Sequence, residues 1–261
     1  MANQRALLLI ADISGYTRFM KVHRINLSHA QEMVARLLEA VIDGASPRFK
    51  LSKLEGDAGL FYTKLPSNGS TDLPDLEKQL AAIRESFVAE REQLDIDRLC
   101  TCDGCAQVRN LKLKFVCHAG EIAFQKVKSF TELAGLDVIL VHRMLKNSVP
   151  LTEYVLMTDA VLGGASEAVR QRAQSIEEDY EGVGATRVHY VDLDAIAPAP
   201  PPKLEPSFFR AWWGRIKTNW RSLPYMIGMK TPCDAFRNMD DALGLLPPPS
   251  SAPSETPSPR S

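Results

Sequence analysis

The sequence has no long apolar run and almost no net charge. No apolar stretch approaches the roughly 20 residues that a membrane-spanning helix needs, since the run from Leu7 to Ala11 ends at Asp12. The N-terminus also lacks the long apolar region and the cleavage site of a signal peptide, so we expect a cytoplasmic protein. A formal net charge of −1 provides no basic excess, which argues against a nucleic-acid partner.

Cysteine is scarce, and most of it is concentrated in one short segment. Three of the five cysteines are Cys100, Cys102 and Cys105, and Cys117 follows on the next predicted strand. In a reducing cytosol, such a cluster indicates thiolate ligation of a metal rather than disulfide bonds. Because zinc prefers four ligands, the four cysteines predict a structural Zn²⁺ site. The alternatives are a loop with free thiols and, less favourably, an iron–sulfur cluster.

The composition divides the chain into four parts. Residues 1–196 contain enough apolar side chains to form one domain around one core. The proline-rich stretch 197–206 predicts a stiff, extended linker. Residues 207–246 predict a C-terminal helical segment, and the Pro/Ser-rich end at 247–261 predicts disorder.

Residues 207–222 of the C-terminal segment have the spacing of an amphipathic helix. Its aromatic side would carry Phe208, Phe209, Trp212, Trp213, Ile216 and Trp220, and its basic side Arg210, Lys217 and Arg221. Such a helix could lie on an anionic membrane surface, dock into a groove of a partner protein, or pack on the preceding domain. The sequence leaves these three alternatives open.

Two acidic residues stand at the ends of strand-like runs, far apart in the sequence. Leu7 to Ala11 is typical of an interior strand, and Asp12 follows it directly. Asp57 lies in a Gly-Asp turn within a predicted hairpin at 49–63. Because a buried carboxylate needs a partner, the pair predicts a divalent-metal site.

Four short blocks, in this order, resemble the catalytic domains of class III nucleotidyl cyclases, the adenylate and guanylate cyclases. The family's Asp-Ile-x-Gly-Phe-Thr is matched at 12–17, with Tyr16 for Phe, and its Lys-x-x-Gly-Asp is matched at 53–57. The third block, Arg-x-Gly-Ile-His-x-Gly, is matched in part at 115–121. The fourth, Gly-x-x-Val-Asn-x-Ala-x-Arg, is matched in part at 135–143. The residues found in these blocks are most similar to those of a divergent bacterial branch of this superfamily, which has no assigned function.

The resemblance covers about residues 5–195, roughly the size of one domain. It implies an α+β fold, the ferredoxin-like βαββαβ core of class III nucleotidyl cyclases with additions. The apolar spacing predicts strands at 6–12, 111–118, 121–128, 153–157 and 187–193, and helices from Ser28, over 73–94 and over 136–147. A second hairpin is predicted to turn at Ala119-Gly120.

The resemblance also implies roles for individual residues. Asp12 and Asp57 would hold two Mg²⁺ or Mn²⁺ ions, one activating the ribose 3′-hydroxyl of ATP or GTP and the other neutralising the triphosphate. Lys53 and Glu132 would read the purine edge, and Arg143 would stabilise charge at the α-phosphate in the transition state. The two halves of such a site come from opposite subunits, so an active enzyme would be a homodimer.

Two departures from the family pattern bear on activity. The ribose-orienting Asn of the family is Ile139 here, and an aliphatic side chain makes no hydrogen bond. The family's phosphate-gripping Lys-Gly-x-Gly turn reads Glu181-Gly182-Val183-Gly184. Each such loss costs roughly a hundred- to a thousand-fold in rate. Three hypotheses follow: a nucleotide cyclase of low activity, an inactive nucleotide-binding regulator, and an interaction or membrane-docking module.

Overall fold

The computed structural model describes residues 3–22, 27–66, 76–96 and 106–198, together with Trp212, Ile216, Trp220, Leu223 and Met229. The strands are β1 (Gln4–Ser14), β2 (Lys50–Glu55), β3 (Ala58–Lys64), β4 (Lys112–Val127), β5 (Phe130–Ala134), β6 (Tyr154–Thr158), β7 (Gln174–Tyr180) and β8 (Gly184–Asp192). The helices are α1 (Tyr16–Val22), α2 (Leu27–Ala45), α3 (Leu76–Ile96), α4 (Leu136–Arg143), α5 (Asp159–Leu162), α6 (Glu167–Arg172) and α7 (Leu193–Ile196).

One sheet organises these elements. Its strand order is β2-β3-β1-β4-β6-β8-β7, and β5 pairs with β4 as a hairpin beside it. Only the β4–β6 pairing is parallel among the strands that the structure describes. The first four strands, with α2 and α3 between them, form a βαββαβ unit in the order β2-β3-β1-β4, which is the ferredoxin-like arrangement. The α+β fold class predicted from the sequence is therefore confirmed.

The core has two layers, one on each face of the sheet. Successive residues of a strand point to opposite faces, so β1 contributes to both layers. Leu7 and Leu9 belong to the layer that also contains the apolar side chains of α2 and α3. Leu8 and Ile10 belong to the layer that contains those of α4. Each fully buried side chain of this size contributes about 1.5–3 kcal/mol to folding, so β1 is fixed firmly from both sides.

The hairpin predicted at Ala119-Gly120 is wrong. β4 continues unbroken through both residues, and its partner β5 follows a turn at Lys128 and Ser129, where Lys128 has a φ of 55°. Gly120 has another reason to be glycine, because a Cβ there would collide with the side chain of Asp137. The sequence pattern predicted a turn at Gly120, whereas glycine is needed there because the Asp137 side chain approaches the backbone closely.

Several element bounds also differ from the prediction. β1 is longer than 6–12, α4 ends at Arg143 rather than at 147, and α2 begins at Leu27. β5, β7 and the short helices were not predicted, because runs of four to seven residues with mixed exposure carry little periodicity.

The C-terminal segment is described at five positions. Trp212, Ile216, Trp220 and Leu223 are helical, and each is between 39% and 77% exposed. Their spacing places them on one helix face. The remainder of the predicted helix, residues 199–206 of the linker and the tail at 247–261 lie outside the described residues.

None of the helices in the described part of the chain combines the length and apolar character that a membrane crossing requires.

Candidate functional site

The end of β1 and the turn between β2 and β3 bring Asp12 and Asp57 together. Asp12 pairs with Ala58 across the β1–β3 ladder, and the backbone N–H of Ile13 donates to the carbonyl oxygen of Asp57 at 3.1 Å. Gly56 precedes Asp57 with a φ of 66°, a conformation that glycine adopts at little cost. The turn therefore holds the second carboxylate beside the first.

The two carboxyl groups affect each other electrostatically. Burial, followed by the negative charge of Asp12 and a hydrogen bond to it, raises the pKa of Asp57 to about 6. A nearby like charge disfavours the ionised form of a carboxyl group. Positive charge at this position is correspondingly favourable, and Lys114 already lowers the pKa of Asp57 in part.

Lys114 completes this cluster, although the sequence analysis did not identify it. It lies directly opposite Asp12 in the β1–β4 ladder, with its Nζ 2.8 Å from Asp12 Oδ2. Burial alone would lower the pKa of Lys114, but the hydrogen bond and charge of Asp12 outweigh burial and raise it. The available signal was a lysine inside a predicted interior strand, where a charge needs a partner.

Lys53 lies on β2 in a second charged group. Its Nζ is 2.5 Å from Glu55 Oε1, and Glu55 Oε2 is 3.2 Å from Nδ1 of His142 on α4. Burial lowers the pKa of His142, with Glu55 acting in the opposite direction and Lys53 in the same direction. Glu55 therefore links the β2–β3 hairpin to α4 and restrains the Lys53 side chain.

Arg143 at the end of α4 forms an ion pair with Glu181, with Nη1 2.5 Å from Oε2. Glu181 lies in the β7–β8 turn, where Gly182 and Gly184 have positive φ values. Ile139, one helical turn before Arg143, is half exposed. The sequence shows Glu181 at the first position of this turn but gives no indication of its contact with Arg143.

Glu132 lies on β5, opposite Gln125 of β4, and is exposed. It is part of the β4–β5 hairpin rather than of the main sheet. The structure thus places Asp12, Asp57 and Lys114 in one cluster, while Glu132 stands apart on an exposed arm.

A hydrogen-bond network around the buried His118 side chain fixes the start of α4. His118 Nε2 donates to Asp137 Oδ1 at 2.9 Å, and His118 Nδ1 lies 3.0 Å from the Thr158 hydroxyl. The backbone N–H of Glu121 donates to Asp137 Oδ2 at 2.6 Å. Because α4 carries Ile139 and Arg143, this network sets the position of both.

The predicted zinc site falls mostly outside the described residues, since Cys100, Cys102 and Cys105 are not among them. Cys117 is fully buried in the core layer that contains α2 and α3, and burial raises its pKa to about 12. Among the residues that the structure describes, no group of three or more metal-ligating side chains is present. Zinc binding stays a prediction.

Comparison with known proteins gives a match to one family model and one related protein that aligns over most of the chain. The model of a family described as "Protein of unknown function (DUF2652)" matches residues 34–154. The chain is 47% identical over 206 residues to the uncharacterised protein Rv2561/Rv2562 of Mycobacterium tuberculosis, covering 79% of this chain and 94% of that protein.

Solved structures resemble the domain at low sequence identity. A bacterial light-regulated adenylyl cyclase has a TM-score of 0.51 at 13% identity, covering 74% of this chain and 53% of that chain. A class III adenylyl cyclase-like ATP-binding protein from Pseudomonas aeruginosa has a TM-score of 0.51 at 20% identity, covering 65% of this chain and 36% of that one. The chain thus spans about half of the first and about a third of the second. The chain belongs to the same family as Rv2561/Rv2562, and its domain has the class III nucleotidyl cyclase fold.

Proposed function

We propose that the protein binds a purine nucleoside triphosphate with a divalent cation and cyclises it slowly. The observation that carries this proposal is the contact between Asp12 and Asp57 at the end of β1 and in the β2–β3 turn. The class III cyclase fold and the ATP-binding relative of that fold support it.

The donor set at this position fits Mg²⁺ or Mn²⁺. Mg²⁺ is commonly held by one or two carboxylates, with water and substrate phosphates as its other ligands. Asp12 and Asp57 supply the two carboxylates, and a bound cation would offset the repulsion by Asp12 that adds to burial in raising the pKa of Asp57. Bound cations would supply activation of the ribose hydroxyl and neutralisation of the phosphates.

The chain's own side chains would position the nucleotide. Lys53 is proposed to contact the purine edge after its ion pair with Glu55 breaks. The Lys53–Glu55 ion pair is exposed, and such pairs contribute only about 0–1 kcal/mol to stability. Glu132 would join it from the exposed β4–β5 hairpin. Arg143 would neutralise charge at the α-phosphate.

A homodimer is part of this proposal. Several large apolar side chains are exposed on β2, on β4 and on α4: Leu51, Leu54, Val127, Leu136 and Ile139. Ile139 and Arg143 lie on the same face of α4, since they are four residues apart. If this surface packed against a second copy of the chain, the exposed apolar side chains would be covered. Each subunit could then complete the site of the other.

The second candidate function is an inactive regulator that binds nucleotide without cyclising it. The specific observation that favours it is the ion pair between Arg143 and Glu181. In this ion pair Glu181 neutralises the arginine side chain that would otherwise act at the α-phosphate. Ile139, which makes no hydrogen bond to a ribose, favours the same candidate.

The experiment that separates the two candidates is incubation with ATP or GTP and Mn²⁺, followed by mass detection of cyclic nucleotide. Slow product formation that disappears in Asp57→Asn supports the cyclase. Nucleotide binding without product supports the regulator.

Restoring the missing groups is expected to raise the cyclisation rate. In Ile139→Asn/Glu181→Lys, the Asn supplies a ribose hydrogen bond, and the Lys frees Arg143 and adds a cation beside it. We expect a rise of roughly tenfold or more, equivalent to about 1.4 kcal/mol of barrier, measured as cyclic product per minute. Ile139→Asn/Glu177→Lys makes the same charge change at an exposed position of β7 and should give less. Equal rates for both double variants would contradict the role of Glu181.

The C-terminal segment is a further candidate for contact with a membrane or protein surface. The exposed face of Trp212, Ile216, Trp220 and Leu223 is apolar, and the sequence around it is basic. We expect the full chain to co-sediment with vesicles of anionic lipid and Trp212→Ala/Trp220→Ala to lose most of this binding. Met229→Ala removes another exposed apolar side chain and serves as the control. A parent protein that stays in the supernatant would contradict the membrane hypothesis.

A further inference from the structure

We propose that Lys114 takes the place of one of the two metal ions expected in a cyclase-type site, so that each site binds one divalent cation. This inference rests on the proposed nucleotide site at Asp12 and Asp57. It concerns how many ions that site accepts.

The sheet itself fixes the Lys114 ammonium group beside Asp12. β1 and β4 are paired without interruption from Gln4 opposite Ile122 to Ser14 opposite Lys112, and Lys114 is the direct partner of Asp12 within that ladder. Its Nζ lies 2.8 Å from Asp12 Oδ2. The contact therefore depends on a central pair of strands and not on a loop.

The surroundings of Lys114 keep it in the cluster. Its side chain is 20% exposed and that of Asp12 is 14% exposed. Lys114 also interacts electrostatically with Asp57 and with Tyr154, whose hydroxyl is hydrogen-bonded to Asn147. Moving the ammonium group away would leave the largely buried Asp12 carboxylate without this partner, which is unfavourable.

Repulsion by the Lys114 ammonium group limits the number of additional cations. The two carboxylates carry a formal charge of about −2, and Lys114 reduces it to about −1. One divalent cation brings the cluster to about +1, whereas two would bring it to about +3. A divalent cation repels an ammonium group at the same distance twice as strongly as a second ammonium would. Because the Lys114 ammonium group already lies against one Asp12 oxygen, it disfavours a second divalent cation there and itself supplies part of the positive charge that this cation would bring to the triphosphate.

The test counts Mn²⁺ per bound nucleotide. The probe is 3′-deoxy-ATP, which lacks the hydroxyl that would react, and electron paramagnetic resonance measures free Mn²⁺ with protein in excess, so that all of the nucleotide is bound. We expect one Mn²⁺ per bound nucleotide in the full chain and in Lys114→Arg, and two in Lys114→Met. Lys112→Met, which removes a lysine from the same strand that pairs instead with Glu153, should keep the value of one.

The outcomes distinguish this inference from the proposed function. Two Mn²⁺ per nucleotide in the parent would overturn the role of Lys114 and leave the nucleotide site standing. No Mn²⁺-dependent binding of nucleotide would overturn both. Circular-dichroism melting checks the fold of each variant, and if Lys114→Met does not fold, the ratio in the parent and in Lys114→Arg decides.

Discussion

Asp57→Asn is expected to stabilise the protein at neutral pH while it abolishes Mn²⁺-dependent nucleotide binding. The pKa of Asp57 rises from 3.8 to about 6 on folding, chiefly through burial and then through Asp12. Folding therefore favours the protonated form, and its contribution to stability is present below about pH 4 and lost as the pH rises through 6. Asparagine carries no charge, so Asp57→Asn removes this loss of stability at neutral pH.

The expected gain is about 1 kcal/mol above pH 6, because Asp57 is only half-buried and solvent screens much of the effect. This corresponds to a rise in Tm of about 2–4 °C for a domain of this size. Below about pH 3 the two proteins should melt nearly alike, because Asp57 is then largely protonated in both states. Differential scanning calorimetry at about pH 3 and pH 7.5 checks both points, with Asp179→Asn, an exposed carboxylate of β7, as the control.

Asp12→Asn should have the opposite effect on stability and the same effect on binding. It removes the charge that pairs with Lys114, and although the amide oxygen can still accept the hydrogen bond, losing its charge-assisted part costs about 1 kcal/mol. If Asp57→Asn lowered the Tm at pH 7.5 as much as Asp12→Asn does, the carboxylate pair would not be under repulsion. The proposed cation site would then lose its main electrostatic support.

Gly120→Ala is expected to be strongly destabilising. A Cβ at Gly120 would lie 2.7 Å from Asp137 Cβ and closer still to its carboxyl group. Asp137 cannot move without breaking its hydrogen bonds to His118 and to the Glu121 N–H. Overpacking typically costs about 1–3 kcal/mol, and each buried group left without a partner adds about 1–3 kcal/mol. Urea unfolding should therefore give a loss of about 3 kcal/mol or more.

A double-mutant cycle separates the collision from other effects of the substitution. Asp137→Gly removes every colliding side-chain atom, including the Cβ at 2.7 Å, so Gly120→Ala should cost much less in that background. Gly163→Ala, where the nearest atom to an added Cβ is the Asp159 carbonyl oxygen at 3.4 Å, should change stability by less than about 1 kcal/mol. Additive losses in the cycle would mean that the Gly120–Asp137 contact does not explain why this position is glycine.

The acidic pair could be anticipated from the sequence because its signals are local. Asp12 directly follows an apolar run, and Asp57 follows a glycine between two strand-like runs. The fold class followed from the same blocks, since their order along the chain matches the order of the elements. Both acidic residues could be found from their immediate sequence neighbours, because each stands next to a strand-like run.

The partners of these residues could not be predicted, because they depend on register and on contacts between distant elements. Lys114 meets Asp12 only once β1 and β4 pair antiparallel in one register. Glu181 reaches Arg143 across 38 residues of chain. The false turn at Gly120 has the same origin, since the atom that excludes a Cβ there belongs to Asp137 on another element.

The most direct test of the proposed nucleotide site is isothermal titration calorimetry of 3′-deoxy-ATP and 3′-deoxy-GTP into the full chain, with and without Mn²⁺. We predict binding of at least one of them with a Kd of about 1 µM to 1 mM, the usual range of substrate affinities, in the presence of Mn²⁺ only. Binding of equal strength without metal, or no binding of either nucleotide with Mn²⁺, would contradict the account.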